Sequence, residues 1–221
     1  GAERLEAIRL VDATGGFLRA PEVTFRATEI GLEAFGYNVA NAALTEALER
    51  AGEGRIERIV SKGVADITEA DGHMVVTSQE GAAYSAALVA GADGRSSLVR
   101  QQAGIATSTW SYEQAAVVCS FTHSRPHRGV STELHRRAGP LTVVPMAGTT
   151  SSLVWVETPA EAQRLASLDD AAFLIELGAR ISGLLGSLSA ISHRKTFPLS
   201  GQTATVLAKN RCALIGEAGH V

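Results

Sequence analysis

The possible folds of this chain are constrained most by two short segments. Each combines glycine with an acid directly after an apolar strand-like run. The first is 91–100 (GADGRSSLVR), which follows the run 86–90, and the second is 216–220 (GEAGH), which follows 212–215. A strand that leads into a glycine-rich turn and a helix brings backbone N–H groups to a phosphate or ribose. An ionised carboxylate only accepts hydrogen bonds, which suits ribose hydroxyls or ordered water. The two segments therefore predict one nucleotide-binding layer built from distant parts of the chain.

Composition narrows the class of protein further. The chain has 221 residues, of which 45% are apolar and 19% charged, as in a globular protein of one large or two smaller domains. A formal net charge of −3 provides no basic surface for nucleic acid. No apolar run is long enough to span a bilayer, and the chain does not open like a signal peptide. Cys119 and Cys212 lie in apolar runs, which predicts buried thiols and a reducing, cytoplasmic location.

Local patterns predict mixed secondary structure in the first half of the chain. Asn41 is expected to cap a helix over 41–50 that places Leu44, Ala47 and Leu48 on one face. Asp71-Gly72 is a hairpin signal between two alternating runs. A helix is also expected over 97–103. The predicted strands are 8–12, 22–25, 63–68, 74–78 and 84–90.

From about residue 106 the pattern indicates a separate sheet. Four strand-like runs separated by turns suggest antiparallel pairing; they are 115–123, 131–136, 141–146 and 151–157. Two helices are expected next, over 159–166 and over 169–181 with Asp169 near the cap. Strands are then expected at 196–199, 203–208 and 211–215. The fold class predicted is α+β or α/β, with 1–105 and 206–221 forming one discontinuous domain and 106–205 an inserted sheet domain.

Three stretches carry a family resemblance: 35–44 (FGYNVANAAL), 91–100 and 213–220 (ALIGEAGH), with support from 139–141 and 151–155. In their order and spacing they resemble FAD-dependent aromatic hydroxylases of the p-hydroxybenzoate hydroxylase type. Within that group the chain is most similar to the bacterial ubiquinone-biosynthesis hydroxylases. The likeness extends over essentially the whole chain. The given sequence does not contain the family's N-terminal GxGxxG unit, so the resemblance implies that it is an internal part of a longer polypeptide.

The resemblance implies a Rossmann-like FAD-binding domain and assigns cofactor contacts. Asp93 and Gly94 would lie near the FAD pyrophosphate and serve the use of both FAD and NAD(P)H. Gly216 and Glu217 would meet the ribityl or ribose hydroxyls of FAD. Asn41 would offer a polar side chain to the flavin. The inserted sheet would cover an aromatic substrate beneath the flavin ring.

Some residues depart from the family pattern. Ala42 stands where relatives commonly have arginine, which puts a basic flavin contact there in doubt. Glu217 replaces the commoner aspartate and is one methylene longer, and Gly219 replaces the commoner alanine. No side chain is assigned as the catalytic group, and no metal is expected.

The implied reaction is hydroxylation of a phenol or quinol ring. NAD(P)H would reduce FAD, the reduced flavin would react with O₂, and the protein would orient the reactants and exclude water. A polyprenyl tail on a ubiquinone precursor would require an apolar groove and peripheral contact with the inner membrane. The alternative is a non-catalytic module that binds an aromatic lipid or a partner subunit. Homo- and hetero-oligomers both stay open.

Several residues keep a purely structural alternative. Asp93-Gly94 on its own is a plain turn, and Glu217 on its own caps the following helix. Arg95 and Arg100 reach phosphate groups or, as is commoner, are solvated helix residues. His220 lies beside the flavin or serves the structure.

Six further residues bear on metal chemistry, hydrolysis and the core. His123 and His127 are four apart, but Pro126 breaks any helix between them and disfavours a metal pair. Ser96 and Ser97 lack the Gly-x-Ser-x-Gly turn of a hydrolase nucleophile. Phe121 and Trp155 are expected in the core of the inserted sheet.

Overall fold

The structure is a computed structural model, and it describes residues 1–16 and 19–221. The strands of the first half are β1 (Glu3–Leu5), β2 (Ala7–Asp12), β3 (Val23–Arg26), β4 (Gly36–Asn38), β5 (Val64–Ala70), β6 (His73–Ser78), β7 (Ala83–Ala86) and β8 (Val89–Gly91). Those of the second half are β9 (Thr107–His123), β10 (Val130–His135), β11 (Leu141–Met146), β12 (Thr150–Glu157), β13 (Leu188–Ser189), β14 (Lys195–Ala204), β15 (Ala208–Lys209) and β16 (Cys212–Leu214). The helices are α1 (Asn41–Gly52), α2 (Leu98–Gln102), α3 (Pro159–Ser167) and α4 (Asp170–Arg180).

The chain forms two compact units, each built from two segments. The first unit comprises Gly1–Arg55 and Glu113–Leu199, and the second comprises Ile56–Tyr112 and Ser200–Val221. The predicted domains, a discontinuous FAD-binding domain of 1–105 and 206–221 and a substrate-binding sheet domain of 106–205, stay a prediction. In the described residues no helix combines the length and the apolar character needed to cross a membrane.

The first unit is built on an eight-stranded sheet in the order β13-β9-β12-β11-β10-β2-β3, with β14 also pairing with β9. The four strands predicted between 115 and 157 all form, and neighbours among them pair antiparallel. β2 joins this sheet by parallel pairing with β10, with Ser131 opposite Ile8. Strands from the start of the chain therefore extend the sheet of the second half.

One face of this sheet packs against α3 and α4. Phe121, Leu153 and Trp155 point to that face and are completely buried, together with Phe173 and Leu177 from α4. The prediction that Phe121 and Trp155 belong to the core is confirmed. The cap predicted at Asp169 is also confirmed, since its Oδ1 accepts a hydrogen bond from the Ala172 N–H at 2.7 Å.

The helix predicted over 41–50 forms, but its predicted cap was wrong. Ala40 is the N-cap, and Asn41 is the first helical residue with no side-chain cap. An N-cap needs an extended backbone, which Ala40 adopts with φ −66° and ψ 132°. The shared face forms no core, because Leu44 and Leu48 are exposed and the helix buries none of its residues.

The second unit contains two three-stranded sheets, β5-β6-β7 and β15-β16-β8. Asp71 and Gly72 join β5 to β6 with φ values of 50° and 75°, which confirms the predicted hairpin. The single strand predicted over 84–90 was wrong. It divides into β7 and β8 because β7 pairs with β6 while β8 pairs with β16, in different sheets.

The strands predicted near the end of the chain also differ from those observed. The two strands predicted over 196–208 are one long strand, β14, followed by the short β15. The core of the unit holds Val99, Cys212 and Leu214 among others. Cys212 is buried here and Cys119 in the first unit, as predicted, and burial raises the pKa of the Cys119 thiol to about 12.

Candidate cofactor site

The two glycine-and-acid segments come together in the second unit. β16 pairs with β8 in parallel, with Leu214 opposite Gly91. The Ile215 N–H then donates to the Gly91 carbonyl oxygen at 2.8 Å. Because parallel neighbours end at the same sheet edge, the turns after Gly91 and after Leu214 lie side by side. This is the edge at which open α/β sheets bind ligands.

Glycine is required at two points of the first turn. A Cβ on Gly91 would lie 2.7 Å from the Cβ of Val99, so only glycine lets the strand approach α2 this closely. Gly94 adopts a left-handed φ of 78°, and no heavy atom lies within 4 Å of the place its Cβ would take. The turn therefore leaves its backbone open to an approaching group.

Asp93 holds this turn together. Its Oδ2 accepts hydrogen bonds from the Leu98 N–H at 2.7 Å and the Val99 N–H at 3.1 Å. Burial raises the pKa of Asp93, but hydrogen bonds from the Ser97 side chain and from these N–H groups outweigh it and hold the pKa below its usual value. The carboxylate occupies N–H groups that an incoming phosphate would otherwise use. The structure thus gives Asp93 the role of a turn residue, whether or not it also touches a cofactor.

The second turn presents a free acceptor. Gly216 begins a short 3₁₀ turn, Gly216–Ala218, with a left-handed φ of 58°. Glu217 is exposed, and in the described residues its carboxylate has no hydrogen bond or ion pair. It does not cap the turn, since Ile215 is the N-cap without a side-chain bond. Glu217 is therefore available to accept hydrogen bonds from a ligand.

Arg100 joins the two turns, a role that sequence reasoning missed. Its Nη1 donates to the Ala218 carbonyl oxygen and its Nη2 to the Arg95 carbonyl oxygen, both at 2.8 Å. Arg100 is only 6% exposed, so the expectation of a solvated helix residue was wrong. Val99 and Ala103 on the same short helix also face the core, which was the one signal in the sequence.

Arg95 has a different environment from Arg100. It is exposed, and its Nη2 donates to the Ser200 Oγ at 2.7 Å. Its carbonyl oxygen also accepts from the Gln202 side chain at 3.1 Å. The first turn is therefore held to the second turn and to β14.

A cavity of about 410 Å³ opens beside the first turn. Asp93, Ser96 and Leu98 form one wall, and Ile67 and Val76 of the hairpin form part of another. The volume and the largely apolar lining are in the range of small-molecule sites. Open backbone at Gly94 and Gly216 and the free Glu217 carboxylate fit the pyrophosphate and hydroxyl groups of a dinucleotide.

Asn41 and His220 are the other residues predicted to lie near the flavin. Asn41 is exposed at the start of α1 in the first unit, and its contact with a flavin stays a prediction. His220 is exposed beside the second turn, and its backbone N–H donates to the Gly216 carbonyl oxygen at 3.1 Å.

The histidine pair of the first unit serves the local structure. His123 Nε2 lies 2.9 Å from the Ser151 Oγ and its Nδ1 lies 2.7 Å from the Arg125 carbonyl oxygen. Burial lowers the pKa of His123 and favours the neutral ring. His127 Nε2 lies 2.7 Å from the Met146 carbonyl oxygen. Across 1–16 and 19–221, no three side chains suited to metal binding lie together.

Two turns at the carboxyl edge of adjacent parallel strands, with open glycines and a free acid, are typical of dinucleotide-cofactor sites in α/β proteins. Residues 32–221 match the family described as FAD binding domain. The chain belongs to this family, and its mixed fold is the Rossmann-like one predicted.

Known proteins similar to the chain have related descriptions. It is 40% identical over 144 residues to ubiquinone hydroxylase UbiL of Rhodospirillum rubrum, covering 65% of this chain and 34% of that protein. It is 29% identical over 200 residues to 3-demethoxyubiquinol 3-hydroxylase of Escherichia coli, covering 90% and 51%. The chain thus spans about a third to a half of these curated relatives. The fold matches PqsL of Pseudomonas aeruginosa in complex with 2-aminobenzoylacetate, with a TM-score of 0.80, 16% identity and coverage of 100% and 62%.

Proposed function

We propose that this chain is part of an FAD- and NAD(P)H-dependent monooxygenase that hydroxylates an aromatic ring. The observation that carries the proposal is the parallel pairing of β8 with β16, which brings Gly94 and Glu217 to one sheet edge in a member of the FAD binding domain family. The names of the relatives support a precursor of ubiquinone as the substrate, and we propose a phenol or quinol that carries a polyprenyl tail. Their names also favour an enzyme over the alternative of a non-catalytic binding module.

The residues of the second unit would hold the cofactor. Bound FAD supplies the electron-transfer and oxygen chemistry that side chains lack. Glu217 accepts hydrogen bonds from the hydroxyls of the FAD, and Gly94 and Gly216 let the pyrophosphate approach the backbone. Asp93 fixes the first turn through the Leu98 and Val99 N–H groups. Asn41 would offer a polar contact to the flavin.

The first unit would cover the substrate with the sheet face opposite α3 and α4. Val118, Val154 and Thr142 are neighbours on that face, because Val154 pairs with both of the others. All three are partly buried, whereas Val117 and Trp155 on the helix side are completely buried. A face of small apolar and hydroxyl side chains suits an aromatic ring and keeps water from it.

The test compares two carboxylate substitutions in the complete natural polypeptide. Glu217→Gln removes the charge of the proposed acceptor and should weaken FAD binding about 10-fold, because a hydrogen bond to a charged group contributes about 1.5 kcal/mol. Glu57→Gln is the matched control, since Glu57 is an exposed acid of the same unit. FAD affinity is measured by quenching of flavin fluorescence. NAD(P)H oxidation is followed in the presence of a phenolic precursor of ubiquinone.

The possible outcomes distinguish the cofactor site from the proposed hydroxylation reaction. Equal FAD affinity in both variants would contradict the role of Glu217. A protein that stays colourless after reconstitution with FAD would overturn the monooxygenase and favour the aromatic-lipid-binding module. Flavin binding without substrate-dependent NAD(P)H oxidation would retain the cofactor site and reject the proposed reaction.

A further inference from the structure

Strand β3 leaves one edge of the large sheet unpaired. It is the last strand in the order, and in the part of the chain that the structure describes it pairs only with β2. Phe25 lies opposite Ile8, and the Ala27 N–H donates to the Glu6 carbonyl oxygen at 2.9 Å. Backbone groups alternate in direction along a strand, so those of Phe25 face β2 and those of Thr24 face outward. Thr24 therefore presents a free N–H and a free C=O.

The same edge exposes apolar side chains. Val23 is 43% exposed and Phe25 is 48% exposed. Ile30 and Leu32, a few residues further on, are also exposed. An unpaired strand edge with exposed apolar side chains is a template for pairing with another strand.

The sequence of this edge is complementary to itself. Residues 22–26 read Glu-Val-Thr-Phe-Arg. If two copies pair antiparallel about Thr24, Glu22 of each lies opposite Arg26 of the other, and Val23 lies opposite Phe25. Opposite charges and an aromatic beside a β-branched residue are favourable cross-strand pairs. A shift by one residue would lose both charge pairs, so the complementarity also fixes the register.

The backbone directions agree with this register. The two Thr24 residues would exchange both of their outward hydrogen bonds, and each Glu22 N–H would donate to the Arg26 carbonyl oxygen of the other copy. The Arg26 N–H already donates to the Glu29 Oε2 at 3.3 Å and needs no partner. Glu22 has a long contact of 3.6 Å with the Arg9 Nε. That contact leaves the Glu22 carboxylate able to meet a second guanidinium.

We propose that a second copy of this chain docks on β3, with the two β3 strands antiparallel across a two-fold axis. Such an interface is isologous, as in most homodimers, because each copy contributes the same strand. The strand is short, so the interface lies at the small end of the range for specific complexes, and association is weak. The sheets of the two copies then form one continuous sheet.

The test is a charge swap in the complete natural polypeptide, followed by sedimentation velocity over a concentration series. Glu22→Arg places like charges opposite each other in the homodimer, and Arg26→Glu does the same with the opposite sign. Each should weaken self-association at least 10-fold. An equimolar mixture of the two variants should restore it, because every pair is then attractive again. The double variant E22R/R26E should restore it too.

Controls keep the result interpretable. Glu57→Arg changes an exposed acid in the other unit and should leave self-association unchanged. Circular dichroism and thermal unfolding confirm that each variant is folded. A wild-type protein that is monomeric at every concentration would overturn the proposal. A dimer that neither single substitution weakens would show that the copies meet at another surface and would overturn it as well.

Discussion

The Arg100 guanidinium and the Ala218 carbonyl oxygen, 2.8 Å apart, connect two turns that are more than a hundred residues apart in the sequence. The same guanidinium reaches the Arg95 carbonyl oxygen, so one buried cation fixes the spacing of both turns. A cofactor that contacts both turns requires that spacing. Arg100 is thus a positioning residue, and the proposed site depends on it without direct contact.

Replacing Arg100 should destabilise the second unit and loosen the cofactor site. Arg100→Met leaves the Ala218 carbonyl oxygen without its donor and the Arg95 carbonyl oxygen with one donor fewer, and the expected loss of unfolding free energy is about 2 kcal/mol or more. Arg95→Met is the control, because its guanidinium is exposed and its removal should cost about 0.5 kcal/mol. Denaturant unfolding measures both. Similar losses in the two variants would show that Arg100 does not join the turns.

The hydrogen bonds of Asp93 should make stability depend on pH. Its pKa is lowered in the folded state, so its contribution is complete above the usual pKa of aspartate and is lost as the pH falls through the lowered value. Asp93→Asn should therefore reduce stability at neutral pH, and its difference from wild type should shrink between about pH 5 and pH 2. Unfolding curves across that range provide the measurement. A constant difference between D93N and wild type across that range would reject this account.

Gly91 should tolerate no side chain while Val99 is present. Gly91→Ala places a Cβ 2.7 Å from the Val99 Cβ, and the overpacking should cost about 1–3 kcal/mol. Gly36→Ala is the control, since nothing lies within 4 Å of its built Cβ. Val99→Gly removes the clashing Cβ itself and should recover part of the loss in the double variant, even though it is destabilising alone. Additive effects of the two substitutions in thermal unfolding would argue against the contact.

The buried ion pair of the first unit should be sensitive to loss of one partner. Glu157 Oε1 accepts from the Arg136 Nη1 at 2.6 Å and from the Trp155 Nε1 at 3.0 Å. Glu157→Gln leaves a buried guanidinium without its counter-charge, and the expected cost is about 3 kcal/mol or more.

An exposed ion pair provides the comparison for Glu157. The Glu69–Arg211 pair spans 3.5 Å at the surface, so Glu69→Gln should cost less than about 1 kcal/mol. Chemical denaturation measures both variants. A cost for E157Q as small as that for E69Q would indicate that water reaches Arg136 and replaces the lost partner.

Features set by neighbouring residues could be predicted from the sequence. Asp71-Gly72 determines its hairpin because both residues tolerate a left-handed backbone. Asp169 caps α4 because its side chain reaches an N–H three residues later. Trp155 and Phe121 are large apolar residues in strands with an alternating apolar pattern, so they are expected to point into the core. Such signals are local, so a single sequence contains them.

Features that depend on distant partners could not be predicted. β2 joins β10 in parallel, and no pattern within 7–12 specifies that partner. Arg100 is buried because two carbonyl oxygens of other segments converge on it. For the site, adjacency of the two turns was predictable from their shared form. The specific role of Asp93 was not predictable, since it depends on which N–H groups donate to its carboxylate.

The parallel pairing of β8 with β16 also has a consequence for biosynthesis. A ribosome releases β8 and the first turn long before it adds the residues of β16, and loop closure over that distance is slow. During that interval the β5–β6 hairpin has formed but β16 is missing. Val99 and Met74 therefore lack the part of their core that β16 provides. The region proposed to hold the cofactor is therefore completed only once β16 has been made, and until then the nascent chain leaves apolar surface exposed to aggregation.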